Sequence, residues 1–515
     1  MIRLLKRMLA RVEAGYSSAF GGGCANPLHY LGALTVGFLW ITLVTGIYLF
    51  IFYRTSLDGA WASVQALTHE QRFIGGIMRS VHRYASDAAV ICLAAHFLRE
   101  GIRGRFRGPR WFSWATGTPL IWIVLAFGIT GYWMVWDELG LYVARTSAML
   151  LDALPIFSDP MARNFLTAEA IGSRLFTLIA FIHLVGLPIV IVLAIWVHLI
   201  RVRYPGIHPP RALWAGSLVM LLGLALVWPV TSHPPADPAQ VPAGLALDWF
   251  YLALFPLHDR TSAGTTWLLA GGATLLLAML PLVPGGRPRD EPARVHLADC
   301  SGCSYCAEDC PYGAIDMVPR DDGRNFELQA RVDPALCVAC GICAGSCPSS
   351  SPFRQRDPLT TGIELPDWTI DRLRRELAPA EVGAADVLLI GCFHGAEPDR
   401  VADPGVHRIC LPCIGMLPAS VMDYALRRLG YRALLVSGCD DCDCHHRLGV
   451  RWLRERIAWQ RPPALRRGAA RERIRVVNLK PGQHGRLETE LARLRAELDQ
   501  NDVGPGNGNA EGEET

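Results

Sequence analysis

Two cysteine runs with identical spacing lie in the second half of this 515-residue chain. Residues 300–311 and residues 337–348 both read Cys-x-x-Cys-x-x-Cys-x-x-x-Cys-Pro. Thiolates at this spacing typically hold two 4Fe–4S clusters, and the fourth cysteine of each run binds the other cluster. A zinc ribbon needs four ligands per ion but no Cys-Pro ending, so zinc explains the doubled pattern poorly. The spacing predicts one cluster on Cys300, Cys303, Cys306 and Cys347, and another on Cys337, Cys340, Cys343 and Cys310.

Four histidines lie inside apolar segments, where ionisable side chains are rare and usually functional. His82 and His96 are fourteen residues apart, and His183 and His198 are fifteen apart. Either spacing is close to four helical turns, or roughly 21–22 Å, so both members of a pair lie near one helix face. Two such helices facing each other predict two stacked bis-histidine sites for b-type haem, one in each leaflet. A hydrogen-bonded core histidine is the usual alternative, but two pairs with matching spacing favour haem ligation.

Glycines repeat with the same period in two other apolar segments. Gly32 and Gly46 are fourteen residues apart, and so are Gly117 and Gly131. Because glycine has no Cβ, these positions would let a flat macrocycle approach the backbone. Close helix packing alone would also favour glycine, but the shared period indicates a haem pocket.

A third group of cysteines lies in a segment with alternating strand and helix patterns. Apolar runs at 387–390, 433–436 and 474–479 predict strands, and residues 417–429 predict a helix. The cysteines fall at strand ends and in adjacent turns, as expected for a metal site at the rim of a small α/β domain. Thiolate ligands do not by themselves distinguish a 2Fe–2S cluster from zinc, so both interpretations stay open.

Six apolar stretches are long enough to cross a bilayer, which takes about 20 residues. Hydrophobic residues make up 51% of the chain and charged residues 19%, as expected for a protein with membrane and soluble parts. Arginines cluster after the second, fourth and sixth stretches, so the positive-inside rule predicts cytoplasmic termini and a cytoplasmic soluble region. The predicted spans are 31–53, 78–99, 115–136, 175–200, 212–230 and 265–285.

These patterns predict a multidomain fold. It comprises an all-α transmembrane bundle, an α+β ferredoxin-like domain with two 4Fe–4S clusters, and a small α/β iron–sulfur domain. A linker is predicted around 351–366, and the net charge of +3 argues against a nucleic-acid partner. No glycine-rich dinucleotide fingerprint follows a strand. The predicted regions are 1–25, a basic amphipathic segment; 26–210, the di-haem domain; 211–286, two further membrane helices; 290–355, the ferredoxin-like domain; 380–480, the α/β domain; and 481–515, a charged helix with a disordered tail.

Residues 26–204 resemble the cytochrome b subunit of quinol-oxidising bc and bf complexes. The resemblance implies that His82 and His183 bind the haem near the outer face and that His96 and His198 bind the haem near the cytoplasm. It also implies a quinone or quinol substrate and a homodimer. The stretches that carry it, besides the fifteen-residue histidine spacing of the bf type, are Thr45-Gly46, Ala62-Ser63-Val64-Gln65, Arg79-Ser80-Val81-His82-Arg83, Phe127-Gly128-Ile129-Thr130-Gly131-Tyr132 and Trp136-Asp137.

The last two predicted spans resemble a shortened subunit IV of the bf complex. Pro235-Ala236-Asp237-Pro238 precedes Leu247-Asp248-Trp249-Phe250. The family usually has Pro-Glu-Trp-Tyr at the second tetrad, and its glutamate accepts a quinol proton. Asp248 keeps a carboxylate that is one methylene shorter, so the resemblance makes it a candidate quinol proton acceptor. An ordinary acidic loop residue is the alternative.

Residues 386–455 resemble the delta subunit of methyl-viologen-reducing hydrogenase, which holds a 2Fe–2S cluster and docks on the flavoprotein of heterodisulfide reductase. The matching stretches are Cys413-Ile414-Gly415, Leu434-Leu435-Val436-Ser437-Gly438-Cys439 and Asp443-Cys444-His445-His446. The resemblance implies cluster ligands Cys392, Cys413, Cys439 and Cys444, with Cys410 and Cys442 as alternatives for one of them.

Together these features predict an electron-transfer subunit of a bacterial-type inner membrane. It would connect a cytoplasmic flavoprotein to the quinone pool through one 2Fe–2S cluster, two 4Fe–4S clusters and two b-type haems. One alternative is a membrane anchor that passes electrons between proteins without a quinone site. Another is the cytochrome b of a bc-type complex that works with a Rieske protein.

Overall fold

The computed structural model describes residues 2–156, 171–239, 244–283, 291–378, 386–440 and 442–502. The chain divides into two compact units. The first unit contains Met1–Arg201 and Pro205–Gly285, and the second contains Val202–Tyr204 and Gly286–Thr515. The boundary at residue 286 lies where the apolar pattern of the sequence also ends.

Helices form at all six positions where the sequence predicts membrane spans. The helix Ile77–Ile102 is long but carries several charged side chains, and the apolar helix Arg211–Val227 has only 17 residues. The first unit is therefore a multi-pass helical membrane bundle, whereas the count of six spans stays a prediction. By length and composition, the helices able to cross a membrane are Leu31–Phe52, Trp111–Val135, Ser173–Leu199 and Ala263–Leu282.

The N-terminal helix Ile2–Ala19 packs against the bundle through one buried carboxylate. Glu13 is only 2% exposed and pairs with Arg99, with 2.9 Å between Oε1 and Nε, and with Arg103. Apolar side chains such as Leu4 on the same helix are exposed. The helix thus has the predicted amphipathic pattern. Among the described residues, this unit also contains the α-helices Leu57–His69, Glu138–Asp152 and Phe255–Arg260.

The second unit begins with a small α+β domain. Strands β2 (Ile315–Pro319) and β3 (Leu328–Val332) form an antiparallel hairpin, and β1 (Arg294–Val295) pairs antiparallel with β4 (Ile363–Glu364). The predicted linker around 351–366 is wrong, because it contains β4 and the buried residues of the domain core around it. The short helices of this domain are Tyr305–Asp309 and Ile342–Gly345.

A four-stranded parallel sheet forms the rest of the second unit, with strand order β6-β5-β7-β8. Strands β5 (Val387–Cys392), β7 (Ala433–Gly438) and β8 (Ile474–Asn478) lie where the sequence predicts strands. The sequence did not predict strand β6 (Val406–Leu411). The helices are Ile370–Leu377, Ala419–Arg427, Gly449–Ile457 and His484–Asp502. The predicted disordered tail lies outside the described residues.

Candidate functional site

The four predicted haem-ligating histidines form two pairs inside the bundle. His82 and His183 line one cavity of about 410 Å³, together with Gly46 and Gly131. His96 and His198 form the second pair, and they lie close enough to interact electrostatically. In each pair, one histidine comes from the helix Ile77–Ile102 and the other from the helix Ser173–Leu199.

Each of the four predicted glycines lies against one of these imidazole rings. A Cβ built on Gly46 would be 3.0 Å from Cε1 of His82, and one on Gly117 would be 3.1 Å from Cε1 of His198. The same distance is 3.4 Å from Gly32 to His96 and from Gly131 to His183. The glycines therefore make room for the imidazoles themselves, which is a more specific role than the predicted approach of a macrocycle to the backbone.

A threonine precedes three of these glycines and contacts the same histidine ring. Thr45 Oγ1 lies 3.1 Å from Nδ1 of His82, and Thr130 Oγ1 lies 2.9 Å from Nδ1 of His183. Thr116 Oγ1 lies 3.4 Å from Nδ1 of the third ring, that of His198. Because a threonine hydroxyl contacts Nδ1 in each of these rings, Nε2 is the nitrogen that would bind a metal. The sequence signal for this role is the Thr-Gly pair, which occurs three times in the apolar segments of the chain.

A π turn explains why the second histidine spacing is one residue longer than the first. Residues Ile182–Gly186, which include His183, form a π turn within the helix that continues to Leu199. A π turn inserts one extra residue into an α-helix, and such bulges are frequent at functional sites. The helix that carries His82 and His96 is regular between these residues. Fourteen residues on one helix and fifteen on the other therefore span equivalent distances.

These residues fit b-type haem. Haem ligation by two histidines needs facing imidazoles with free Nε2 atoms and space between them. The paired rings, their engaged Nδ1 atoms and the cavity at His82 and His183 meet these needs.

Asp248 lines the same cavity, and its carboxylate is held by five donors. One oxygen accepts hydrogen bonds from the backbone N–H groups of residues 250, 251 and 252, at 3.2, 2.6 and 3.1 Å. The other oxygen accepts one from the Tyr132 hydroxyl and pairs with Arg83 at 3.2 Å. Asp248 therefore fixes a turn at the cavity wall as well as presenting a carboxylate to the cavity.

Asp87 is a further carboxylate at this cavity, and no sequence pattern described above pointed to it. It lies one helical turn after Arg83, and the two side chains form an ion pair at 3.2 Å. Arg83 therefore stands between the carboxylates of Asp87 and Asp248. The signal that could have found Asp87 is simple, because an acidic residue inside a membrane helix is a functional candidate by default.

The ferredoxin-like domain brings its cysteines together in two groups. Each group lines its own cavity of about 20 Å³, and the fourth cysteine of each run lies with the first three of the other run. The predicted ligand sets require this arrangement. Burial raises the pKa of Cys306 to about 12, so positive charge from bound iron would be needed to keep it as a thiolate. The groups are Cys300, Cys303, Cys306 and Cys347, and Cys310, Cys337, Cys340 and Cys343.

The third cysteine group converges at the carboxyl ends of strands β5, β6 and β7. The Cys439 thiol donates to Cys444 at 3.5 Å and also interacts with Cys392. These hydrogen bonds lower the pKa of Cys392 to about 7 and also lower the pKa of Cys444, so these two sulfurs favour the thiolate, the metal-binding form. The same hydrogen bonds raise the pKa of Cys439, the donor, and burial raises the pKa of Cys413. Cys413 is buried next to the same sulfurs.

The two alternative cysteines differ in position. Cys410 lies within β6, where burial raises its pKa to about 12. Cys442 lies in the turn that connects Cys439 to Cys444, and its N–H donates to Asp440 at 3.1 Å.

The third cysteine group and the ferredoxin-like domain share one hydrophobic core. Cys340 and Cys343 belong to the same cluster of buried residues as Cys413 and Met416. The backbones meet closely here, because a Cβ on Gly345 would lie only 2.2 Å from the carbonyl oxygen of Gly415. The two domains that the sequence predicts separately thus form one compact body.

A buried ion pair fixes this arrangement. Arg456 has no exposed side-chain surface, and its partner Asp309 is 2% exposed. Arg456 also donates to Ser346 Oγ at 2.6 Å and to the carbonyl oxygen of Gly415 at 3.3 Å. Arg461 donates to the other carboxylate oxygen of Asp309 at 2.5 Å. Asp309 and Ser346 each directly precede a predicted cluster ligand, so the network holds the loops of the ferredoxin-like domain against the α/β domain.

Three family models match consecutive parts of the chain. Residues 17–206 match cytochrome b/b6/petB, residues 299–351 match the 4Fe-4S dicluster domain, and residues 396–500 match the delta subunit of methyl-viologen-reducing hydrogenase. A solved structure described as hyperthermophilic respiratory Complex III is similar to 50% of this chain and 74% of its own chain, with 17% sequence identity and a TM-score of 0.40. The family matches confirm the predicted combination of three regions. The chain is a multi-pass membrane protein for electron transfer that carries b-type haem and iron–sulfur clusters.

Proposed function

Because this chain joins a cytochrome b/b6 region to a 4Fe-4S dicluster domain and a region like the hydrogenase delta subunit, we propose that it links a cytoplasmic oxidoreductase to the quinone pool. The partner is a flavin-dependent enzyme of the heterodisulfide-reductase or hydrogenase type. Electrons pass between this partner, the third cysteine site, the two 4Fe–4S clusters, the haems and quinone. The Fe–S domains and both termini are cytoplasmic, and all six apolar helices cross the inner membrane.

The main support for the proposal is the presence of two imidazole pairs in which each ring lies against a glycine. We assign one b-type haem to His82 and His183 and another to His96 and His198. Haem iron, when bound, supplies one-electron exchange. The threonine contacts orient three of the four rings.

The third site is proposed to hold a 2Fe–2S cluster on Cys392, Cys413, Cys439 and Cys444. Its position in the shared core supports direct electron transfer with the cluster on Cys340 and Cys343. The Arg456–Asp309 pair keeps that distance constant, so no domain movement is needed for this step.

Quinol chemistry is proposed at the cavity that contains Asp248. Both oxygens of this carboxylate already accept hydrogen bonds, so a quinol hydroxyl would have to replace Tyr132 or Arg83 as a donor. The carboxylate could then accept the quinol proton. Asp87, on the other side of Arg83, offers the next carboxylate for that proton.

The test is anaerobic reduction of the purified protein by a water-soluble quinol analogue, followed by absorption of low-spin b-type haem. We expect rapid haem reduction, and we expect Asp248→Asn to slow it by about 100-fold or more, as is typical for loss of a proton-transfer group. Asp58→Asn is the control, because Asp58 is an exposed carboxylate of the same unit. Absence of haem reduction by quinol in the intact protein would refute the quinone link.

The flavoprotein link is tested separately. Affinity purification of the full chain from native membranes should recover a soluble flavin-containing protein. Recovery of a Rieske protein instead would favour a bc-type complex.

A further inference from the structure

Three histidines converge beside the third cysteine group. One ring nitrogen from each of His394, His445 and His446 lies within 4.8 Å of the other two. We propose that these imidazoles bind one divalent cation of the zinc class, at a site separate from the sulfur ligands. This site would exist whether or not the protein reacts with quinone.

The sheet topology brings the three residues together from distant parts of the chain. His394 follows the end of β5, and His445 and His446 follow the loop after β7. Strands β5 and β7 are adjacent and parallel. The loops after their carboxyl ends therefore lie at the same edge of the sheet, where metal sites of α/β folds are commonly built.

The three rings are in mutual contact, but two of them are not yet oriented for a shared metal. The rings of His394 and His445 are stacked with centroids 3.5 Å apart, and the His446 ring lies across them at 5.3 and 4.8 Å. Ligand nitrogens around a tetrahedral zinc ion, at about 2.0–2.1 Å from the metal, are about 3.3 Å from one another. The nitrogens, which are within 4.8 Å of one another, must therefore move closer, and the His394 and His445 rings must rotate out of their stack so that both lone pairs point at the ion.

The surroundings of His446 are those of a metal ligand. Its residue surface is 8% exposed, and Nδ1 lies 3.2 Å from the hydroxyl of the buried Tyr312. Metal-binding histidines typically use one ring nitrogen for such a hydrogen bond, which fixes the orientation of the ring. His445 is exposed, so solvent reaches the cluster. Three protein ligands with an open fourth position are the pattern of a zinc site that also binds water.

The test uses the full chain, purified anaerobically with its iron and treated with a chelator that leaves the iron–sulfur clusters intact. After addition of Zn²⁺ and removal of the excess, elemental analysis should find one zinc per chain with unchanged iron. The double variant His394→Ala/His446→Ala should retain no stoichiometric zinc and keep the full iron content. His208→Ala is the matched control, because this exposed histidine lies in the membrane unit.

X-ray absorption at the zinc edge of the unmodified protein provides a second test, which does not depend on correct folding of the variant. Nitrogen or oxygen neighbours alone at about 2.0 Å are expected, whereas zinc–sulfur distances are about 2.3 Å. Sulfur neighbours would overturn the proposal, and so would equal zinc uptake by the double variant. Loss of iron with the histidines would also overturn it, because the imidazoles would then belong to the iron–sulfur site.

Discussion

The two units of this protein hold their predicted cofactor ligands in different ways. In the membrane bundle, the main hydrophobic cluster is built from apolar side chains of several helices, and the predicted ligands His82 and His183 line a cavity. In the second unit, cysteines such as Cys306, Cys340 and Cys413 are themselves members of the core. The comparison indicates that the bundle can fold around an empty site, whereas the second unit needs its metal to complete its core.

The largest expected effect is therefore on the second unit. Cys340→Ser should abolish the cluster on Cys337, Cys340, Cys343 and Cys310, because serine is a poor ligand for this iron. Loss of the cluster leaves a polar hydroxyl in a buried position next to Cys413. We expect loss of at least four of the ten irons that two 4Fe–4S clusters and one 2Fe–2S cluster would hold. We also expect rapid proteolysis after residue 286; iron analysis and limited digestion measure the two effects.

A cysteine of the bundle provides the control for this variant. Cys92 lies on the helix Ile77–Ile102, and Cys92→Ser should leave iron content and protease resistance unchanged. A Cys340→Ser protein with normal protease resistance would contradict the view that the cluster completes the core.

The corresponding change in the bundle should remove a cofactor without unfolding the protein. His82→Leu should eliminate about half of the b-type absorption, because His96 and His198 lie at a separate site. The amount of protein in the membrane and its cluster iron should stay at the level of the unmodified chain. His69→Leu, on an exposed position of a neighbouring helix, is the control. Loss of all b-type absorption would contradict the view that the bundle keeps its fold and its second haem when one haem is lost.

The smallest expected effect concerns the groups that orient the imidazoles. Thr45→Val removes the hydroxyl that lies 3.1 Å from Nδ1 of His82 but keeps the shape of the side chain. Loss of such a supporting hydrogen bond typically weakens metal-site affinity by about 10–100-fold. Haem content should fall only under dilute conditions, and the midpoint potential of one haem should shift. Thr42→Val is the control, because the Thr42 hydroxyl donates to the backbone oxygen of Leu39; an equal shift there would contradict the role of Thr45.

Local spacing was sufficient to predict the sites whose ligands are close in sequence. The two cysteine runs and the fourteen-residue glycine pairs specify their own partners, since short loops and helical periodicity fix their positions. Strand β6 was missed because His407 and Arg408 interrupt its apolar run. The linker prediction failed because the prolines and charged residues of 351–366 hide the few buried residues of β4 and its neighbours.

Such patterns could not predict contacts between residues that are far apart in the sequence. Arg456 and Asp309 are 147 residues apart, and neither residue stands out in its own segment. The same holds for the meeting of His394 with His445, which depends on the order of strands in the sheet. A single sequence shows periodicity along the chain but not which strands become neighbours.

The contact between Gly345 and Gly415 has a consequence for how this protein could have been assembled and could be altered. The surfaces that meet there include Ile342 and Met416, which are almost fully buried. If the polypeptide were cut in the segment before β5 and the halves were produced separately, each half would expose an apolar surface and tend to aggregate. Exchange of the C-terminal domain by gene recombination would meet the same obstacle. New donors or acceptors are therefore more readily gained through changes on the outer face of that domain than through its replacement.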